Sequence, residues 1–253
     1  MRTFCFIAFL SVMSFAVDVA PFLDPSEPAS LKKWALLWND EFDDEKTIDS
    51  NWIPQNGSAG KILSSRWREN ISVREGLAII TNRKESRGGR EWTSGSMTCK
   101  REFGYGYFES RFEISAASGV NNSFWLYQGR ATDSLKSFEV DIVEGHYPDV
   151  FFTNIHDFGL SGEKVHTQNS KSFVSKDSDL YTSFHIYGLE WNEQKMIFYF
   201  DGKKIRELDN QVCFQNAYLI VGTAILKWAG KITSAIDNTT MKIDYIRVWE
   251  ESK

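Results

Sequence analysis

The sequence predicts an all-β fold, a sandwich or barrel of short strands, on three observations. Short runs rich in β-branched and aromatic residues recur with turn signals between them, no long stretch keeps a helical period, and all five prolines stand outside the runs. In order, the runs are 77–81, 105–114, 123–127, 138–144, 150–156, 183–191, 196–200, 218–221 and 241–249. Asp201-Gly202 follows MIFYF as a two-residue hairpin turn would.

Before the first run the chain has a different character. Met1 and Arg2 precede an apolar stretch that ends with small residues at Ser14 and Ala16, the pattern of a signal peptide over residues 1–16. The predicted location is therefore secreted or periplasmic, and Cys5 would leave with the signal. Residues 17–30 carry Pro, Ser and acidic residues without periodicity and read as an extended leader. The remainder, 31–253, suits one large domain. Export would permit a Cys99–Cys213 disulfide, and two buried thiols are the equal alternative. No later stretch approaches the length of a membrane span. A net charge of −5 argues against nucleic acid and anionic membranes as partners, and a monomer is expected. Nine Trp exceed ordinary usage and suit both a core and a sugar-binding surface.

The chemistry concentrates in SFEVDIVE, residues 137–144. Strand alternation puts Glu139 and Asp141 on one face, opposite Phe138, Val140 and Ile142. Strict alternation would bring Val143 beside the acids, and a one-residue bulge at Ile142 or Val143 brings Glu144 there instead. Three carboxylates on one face repel one another and resist desolvation, so stability does not explain them. Two readings account for them without catalysis: a solvated acidic face, or a calcium cluster. The catalytic reading is a retaining glycosidase, which needs two carboxyl groups about 5–5.5 Å apart, one ionised and one protonated. Asp141 between the glutamates would push their pKa values apart.

This segment resembles the E-x-D-x-x-E signature of glycoside hydrolase family 16 in its bulged form. The resemblance extends in order through WNDEFDDEKTIDSNW (38–52), ENISVREGLAI (69–79), EFGYGYFESRFEI (102–114) and NNSFWLY (121–127). It continues in FHIYGLEWNEQKMIFYFDGKKI (184–205) and KIDYIRVWE (242–250). It implies a concanavalin-like jelly-roll β-sandwich of two antiparallel sheets with an open cleft on the concave face. It also implies a retaining, endo-acting glycoside hydrolase with Glu139 as nucleophile, Asp141 as its helper and Glu144 as acid/base. A non-catalytic lectin-like module on the same sandwich would have no use for all three acids. Transglycosylation would use the same intermediate as hydrolysis.

By position, the resemblance assigns Trp125, Trp67, Arg68 and His156 to the substrate cleft, with Trp92 and Trp228 as further candidates. It implies no cofactor for catalysis, and a structural calcium held by Gly76 and Asp244 on the convex side. The substrate expected is a polysaccharide of the β-galactan type, sulfated in the manner of porphyran or carrageenan, in preference to the β-1,3-glucan of a laminarinase. Two features motivate that preference. Arg66, Arg68, Arg83, Arg87 and Arg90 cluster around Trp67 and before Trp92, where guanidinium forks could bind sulfate. Leu135-Lys136-Ser137-Phe138 also stands where laminarinases usually carry Trp-Pro and Gly.

Overall fold

Period-two runs give each strand an apolar face, and two sheets bury those faces against each other. A computed structural model describes residues 19–176 and 179–252 and shows this jelly-roll arrangement. The expected signal peptide, residues 1–16, lies outside the described residues. The acid-bearing sheet has seven strands in the order Thr167–Val174, Val150–Asp157, Phe138–His146, Val120–Gln128, Ala217–Ile225, Ser96–Phe103 and Trp52–Pro54. The opposite sheet runs Lys203–Asp209, Lys195–Phe200, His185–Trp191, Gly106–Glu113, Thr240–Glu251, Leu77–Thr81 and Ile71–Arg74, and Trp34–Asp40 also pairs with Thr240–Glu251. A small third sheet joins Gly57–Ser58, Ser64–Arg66 and Trp92–Ser94.

The core lies between the two large sheets. Phe138, Val140, Phe124 and Leu126 enter it from the acid-bearing sheet and Phe108, Leu189 and Trp191 from the other. Each such side chain contributes roughly 1.5–3 kcal/mol on burial. Asp201 and Gly202 both take positive φ, 47° and 77°, so the expected hairpin turn forms as its residues dictate. Cys99 and Cys213 are buried free thiols, which resolves the disulfide alternative toward two thiols.

The expected leader, where described, is docked on the sheet opposite the acids. Val19 and Leu23 pack on a cluster of Tyr107, Tyr199 and Trp249. The Phe22 N–H donates to buried Glu109 at 2.8 Å, and the Tyr245 hydroxyl donates to the other oxygen of Glu109, also at 2.8 Å. No helix among the described residues is long and apolar enough to cross a membrane.

Candidate active site

The register across Phe138–His146 contains the expected bulge. Glu139 pairs with His156 and Asp141 with Asn154, but Glu144 pairs with Phe152, so three steps on one strand match two on its neighbour. On the other side Asp141 pairs with Trp125 and Val143 with Phe124, leaving Ile142 as the extra residue. Ile142 and Val143 are both buried in the core, which no regular strand allows for consecutive residues. The phase shift lets Glu144 join Glu139 and Asp141 in one groove of about 480 Å³, lined also by Phe152, Asn154, His156, Gln168, Ser170 and Trp228.

Two neighbouring side chains tie the acids together. The Asn154 amide nitrogen donates to Asp141 Oδ2 at 2.9 Å and to Glu144 Oε2 at 2.7 Å. His156 Nε2 lies 3.3 Å from Asp141 Oδ2 and 3.7 Å from Glu139 Oε1. Asn121 donates to the remaining Glu144 oxygen at 2.7 Å. Burial, then the charge of Asp141, raises Glu139 to about 7, although His156 pulls it down. Burial and Asp141 also raise Glu144, to about 8, against the opposing effect of the Asn121 and Asn154 amides. Burial works against a charge on His156, but the hydrogen bond to Asp141 and the two carboxylates outweigh it, and its pKa is raised. Both glutamates are thus pushed toward keeping a proton, and Glu139 alone of the two has a cationic partner, His156, that favours its ionised form.

Aromatic side chains flank both ends of the groove. Trp125 and Tyr127 pair with Asp141 and Glu139 and so share their face, with ring centroids 5.8 Å apart. Phe158 continues this wall, 6.5 Å from Tyr127, and His166 stacks 5.0 Å beyond it. At the Glu144 end the exposed Trp228 packs on His146 at 4.7 Å and on Phe152 at 6.4 Å. Of the residues expected in the cleft, His156, Trp228 and Trp125 thus lie with the acids. Asn121, Asn154, His146, Tyr127 and Phe158 were not anticipated. Asparagines and aromatics on strands carry no spacing signature, and only register brings them to the acids.

Trp67 and Arg68 do not line the groove at the acids, and Trp92 is a correction. Trp92 is only 5% exposed and packs with Val120, Ile225 and Ile236 in a satellite core. Trp67 is covered on one face by the Arg87 guanidinium at 3.7 Å. Arg68 lines a separate pocket with Ser72, Ile79 and Lys242 at the edge of the opposite sheet, and grips Asp49 through two bonds of 3.0 and 2.9 Å. The other arginines of that cluster are also engaged: Arg66 with Gln55, Arg87 with Glu69, Arg83 with the Glu69 carbonyl and Arg90 with the Gly60 carbonyl. Sequence proximity to Trp suggested a sulfate cradle, but each of these side chains already has a protein partner.

Gly76 lies in the turn between Ile71–Arg74 and Leu77–Thr81, and Asp244 lies on the neighbouring strand Thr240–Glu251 of the sheet opposite the acids, where Ile243 pairs with Ala78. Asp244 Oδ2 is held by Arg111 at 2.5 Å.

Comparison with known proteins agrees with this geometry. Residues 60–247 match the model of glycosyl hydrolases family 16. The chain is 30% identical over 191 residues to the endo-1,3-1,4-beta-glycanase EglC of Rhizobium meliloti, a match that covers 71% of this chain and 39% of that protein. It is 28% identical over 193 residues to a beta-glucanase of Rhodothermus marinus, covering 70% of this chain and 66% of that one. The laminarinase from Rhodothermus marinus superposes with a TM-score of 0.78 at 26% identity, over 88% of this chain and all of that structure. The catalytic domain of the Thermotoga petrophila laminarinase gives 0.77 at 26% identity, over the same shares. The chain spans about two fifths of the length of the first of these curated relatives. With the sandwich, the bulged acid strand and a family match over most of its length all in agreement, this chain belongs to glycosyl hydrolase family 16.

Proposed function

We propose that the protein is an endo-acting retaining β-glucanase that cleaves β-1,3-glucan or mixed β-1,3-1,4-glucan. The observation that carries the reading is the bulge-phased trio Glu139, Asp141 and Glu144, bound together by Asn154 and His156 in one open groove. Ionised Glu139 attacks the anomeric carbon while protonated Glu144 gives its proton to the departing glycosidic oxygen. Glu144, now a carboxylate, takes a proton from water, and the resulting attack breaks the ester to Glu139. Asp141 and the His156 imidazole tune Glu139 throughout. His156 Nε2 lies 3.7 Å from Glu139 and favours its ionised form, whereas Glu144 is held by the neutral amides of Asn121 and Asn154, and that asymmetry supports this division of roles.

The substrate reading replaces the β-galactan expectation. Glucanase and laminarinase are the printed names of the relatives above, and the arginines offered as sulfate ligands already have protein partners. Digestion of a panel containing laminarin, mixed-linkage glucan, agarose, porphyran and κ-carrageenan tests it, with Glu139→Gln as control. Soluble oligosaccharides should appear from the glucans and not from the galactans. Their first-formed anomer should be β by proton NMR, and Glu139→Gln should release almost none. Release from agarose with laminarin untouched would sink the substrate reading, and an α-anomer formed first would sink the mechanism.

A further inference from the structure

Behind Glu144 lies a second layer of buried polar groups that the double displacement does not by itself require. Asn121 is 5% exposed and His146 6%. The Asn121 amide nitrogen donates to Glu144 Oε1 at 2.7 Å, and its carbonyl oxygen Oδ1 stands 3.0 Å from His146 Nε2. An amide oxygen only accepts, so the proton of that contact belongs to His146. Burial drives the His146 pKa down to about 4, which keeps the ring neutral at working pH. A neutral ring with Nε2 protonated is therefore the form present. The ring is held edge-on by Trp228 at 4.7 Å and faced by Phe152 at 5.2 Å, so it cannot swing away without disturbing the groove wall.

We propose that His146 and Asn121 act as a positioning pair for Glu144, with His146 fixing the Asn121 amide so that its NH₂, and not its oxygen, faces the carboxyl group. The proposal rests on the reading of Glu144 as acid/base. An amide has two faces of opposite polarity, and nothing at Glu144 itself prevents it from turning once the group is protonated. With the His146 donor in place, turning would set the Asn121 NH₂ against the His146 Nε2–H, two donors facing each other in a buried site, which is costly. The amide is thus ready to receive the negative charge that forms on Glu144 as the leaving group takes its proton. Removing the donor should make Glu144 a weaker acid. Few other groups could produce that shift. Asp141 and Glu139 share its strand, Asn154 and His156 face it from Val150–Asp157, and the outer strand Thr167–Val174 contributes only uncharged Gln168 and Ser170 to the groove.

The test compares His146→Phe, which keeps an aromatic ring against Trp228 but loses the donor, with His146→Gln, which can donate through its amide. For His146→Phe, kcat on laminarin should fall about 10–100-fold, and by at least tenfold more than on an aryl glycoside with an activated leaving group, which needs little acid assistance. The basic limb of its kcat/KM profile should move up by about one pH unit, with the acidic limb unmoved. His146→Gln should recover most of the loss. Asn121→Ala should reproduce the limb shift from the other end of the same bond, and the double variant should be no worse than the worse single one. An unshifted basic limb in both single variants, equal damage in His146→Phe and His146→Gln, or additive losses in the double variant would each overturn the pair. Glu144→Gln separates this failure from the larger one. If that variant hydrolyses laminarin at the wild-type rate, the acid/base reading itself falls.

Discussion

A carboxyl group buried beside another carboxylate resists ionisation, and the groove holds Glu139 and Glu144 in that condition on either side of Asp141. Glu144, raised to about 8, stabilises the fold fully only while protonated, below the ordinary carboxylate range near 4.5, and that stability drains away as pH rises through 8. Glu139 acts in the same sense up to about 7. His146, lowered to about 4, acts oppositely: its contribution is complete above its ordinary value of 6.5 and is lost as pH falls through 4. Glu144→Gln cannot ionise, so it should melt higher than wild type at pH 8, by about 1–2 kcal/mol or roughly 2–8 °C, and at the same temperature at pH 4. Calorimetry at the two pH values would check it, and an equal shift at both would show that ionisation is not the cause. The acids themselves were legible because three carboxylates at that spacing have no folding rationale. Asn121, Asn154 and His146 were not, because an amide on a strand matters only through what the neighbouring strand sets beside it.

The decisive element is the bulge in Phe138–His146. Alternation alone predicted that one extra residue had to be absorbed near Ile142, and the register shows Ile142 as that residue. Deleting Ile142 should return the strand to strict alternation with all three acids still on the groove face. The variant should lose about 2–5 kcal/mol for the missing buried side chain and keep measurable glucanase activity. Loss of all glucanase activity in a folded deletion variant would show that the bulge does more than set the phase of Glu144. Elements without a clear period were harder to read. TQNSKSFV of Thr167–Val174 is polar and exposed along nearly its whole length, as suits an outer strand, so alternation could not announce it. Lys203–Asp209 is likewise an edge strand rich in charge.

For the whole molecule, fold class followed from many short runs separated by turns, because such runs can bury their apolar faces only in pairs of sheets. What the sequence could not convey was the order of strands across each sheet, and with it which surface a loop residue joins. Trp92 was misplaced for that reason: it follows a promising aromatic and basic pattern, yet it belongs to a satellite core. The two buried thiols have a use of their own. Burial raises Cys99 to about 11 and Cys213 well above the ordinary thiol range, so neither offers a reactive thiolate in the folded state. Cys99 lies in the acid-bearing sheet and Cys213 in the loop leading to it, each 1% exposed. They therefore act as a built-in clock for opening events. In a chromogenic thiol reagent neither should be labelled until that part of the sandwich separates, and the labelling rate should follow opening rather than reagent chemistry. A bound oligosaccharide that holds the sheet closed should slow that clock in Glu139→Gln, which reports binding without turnover.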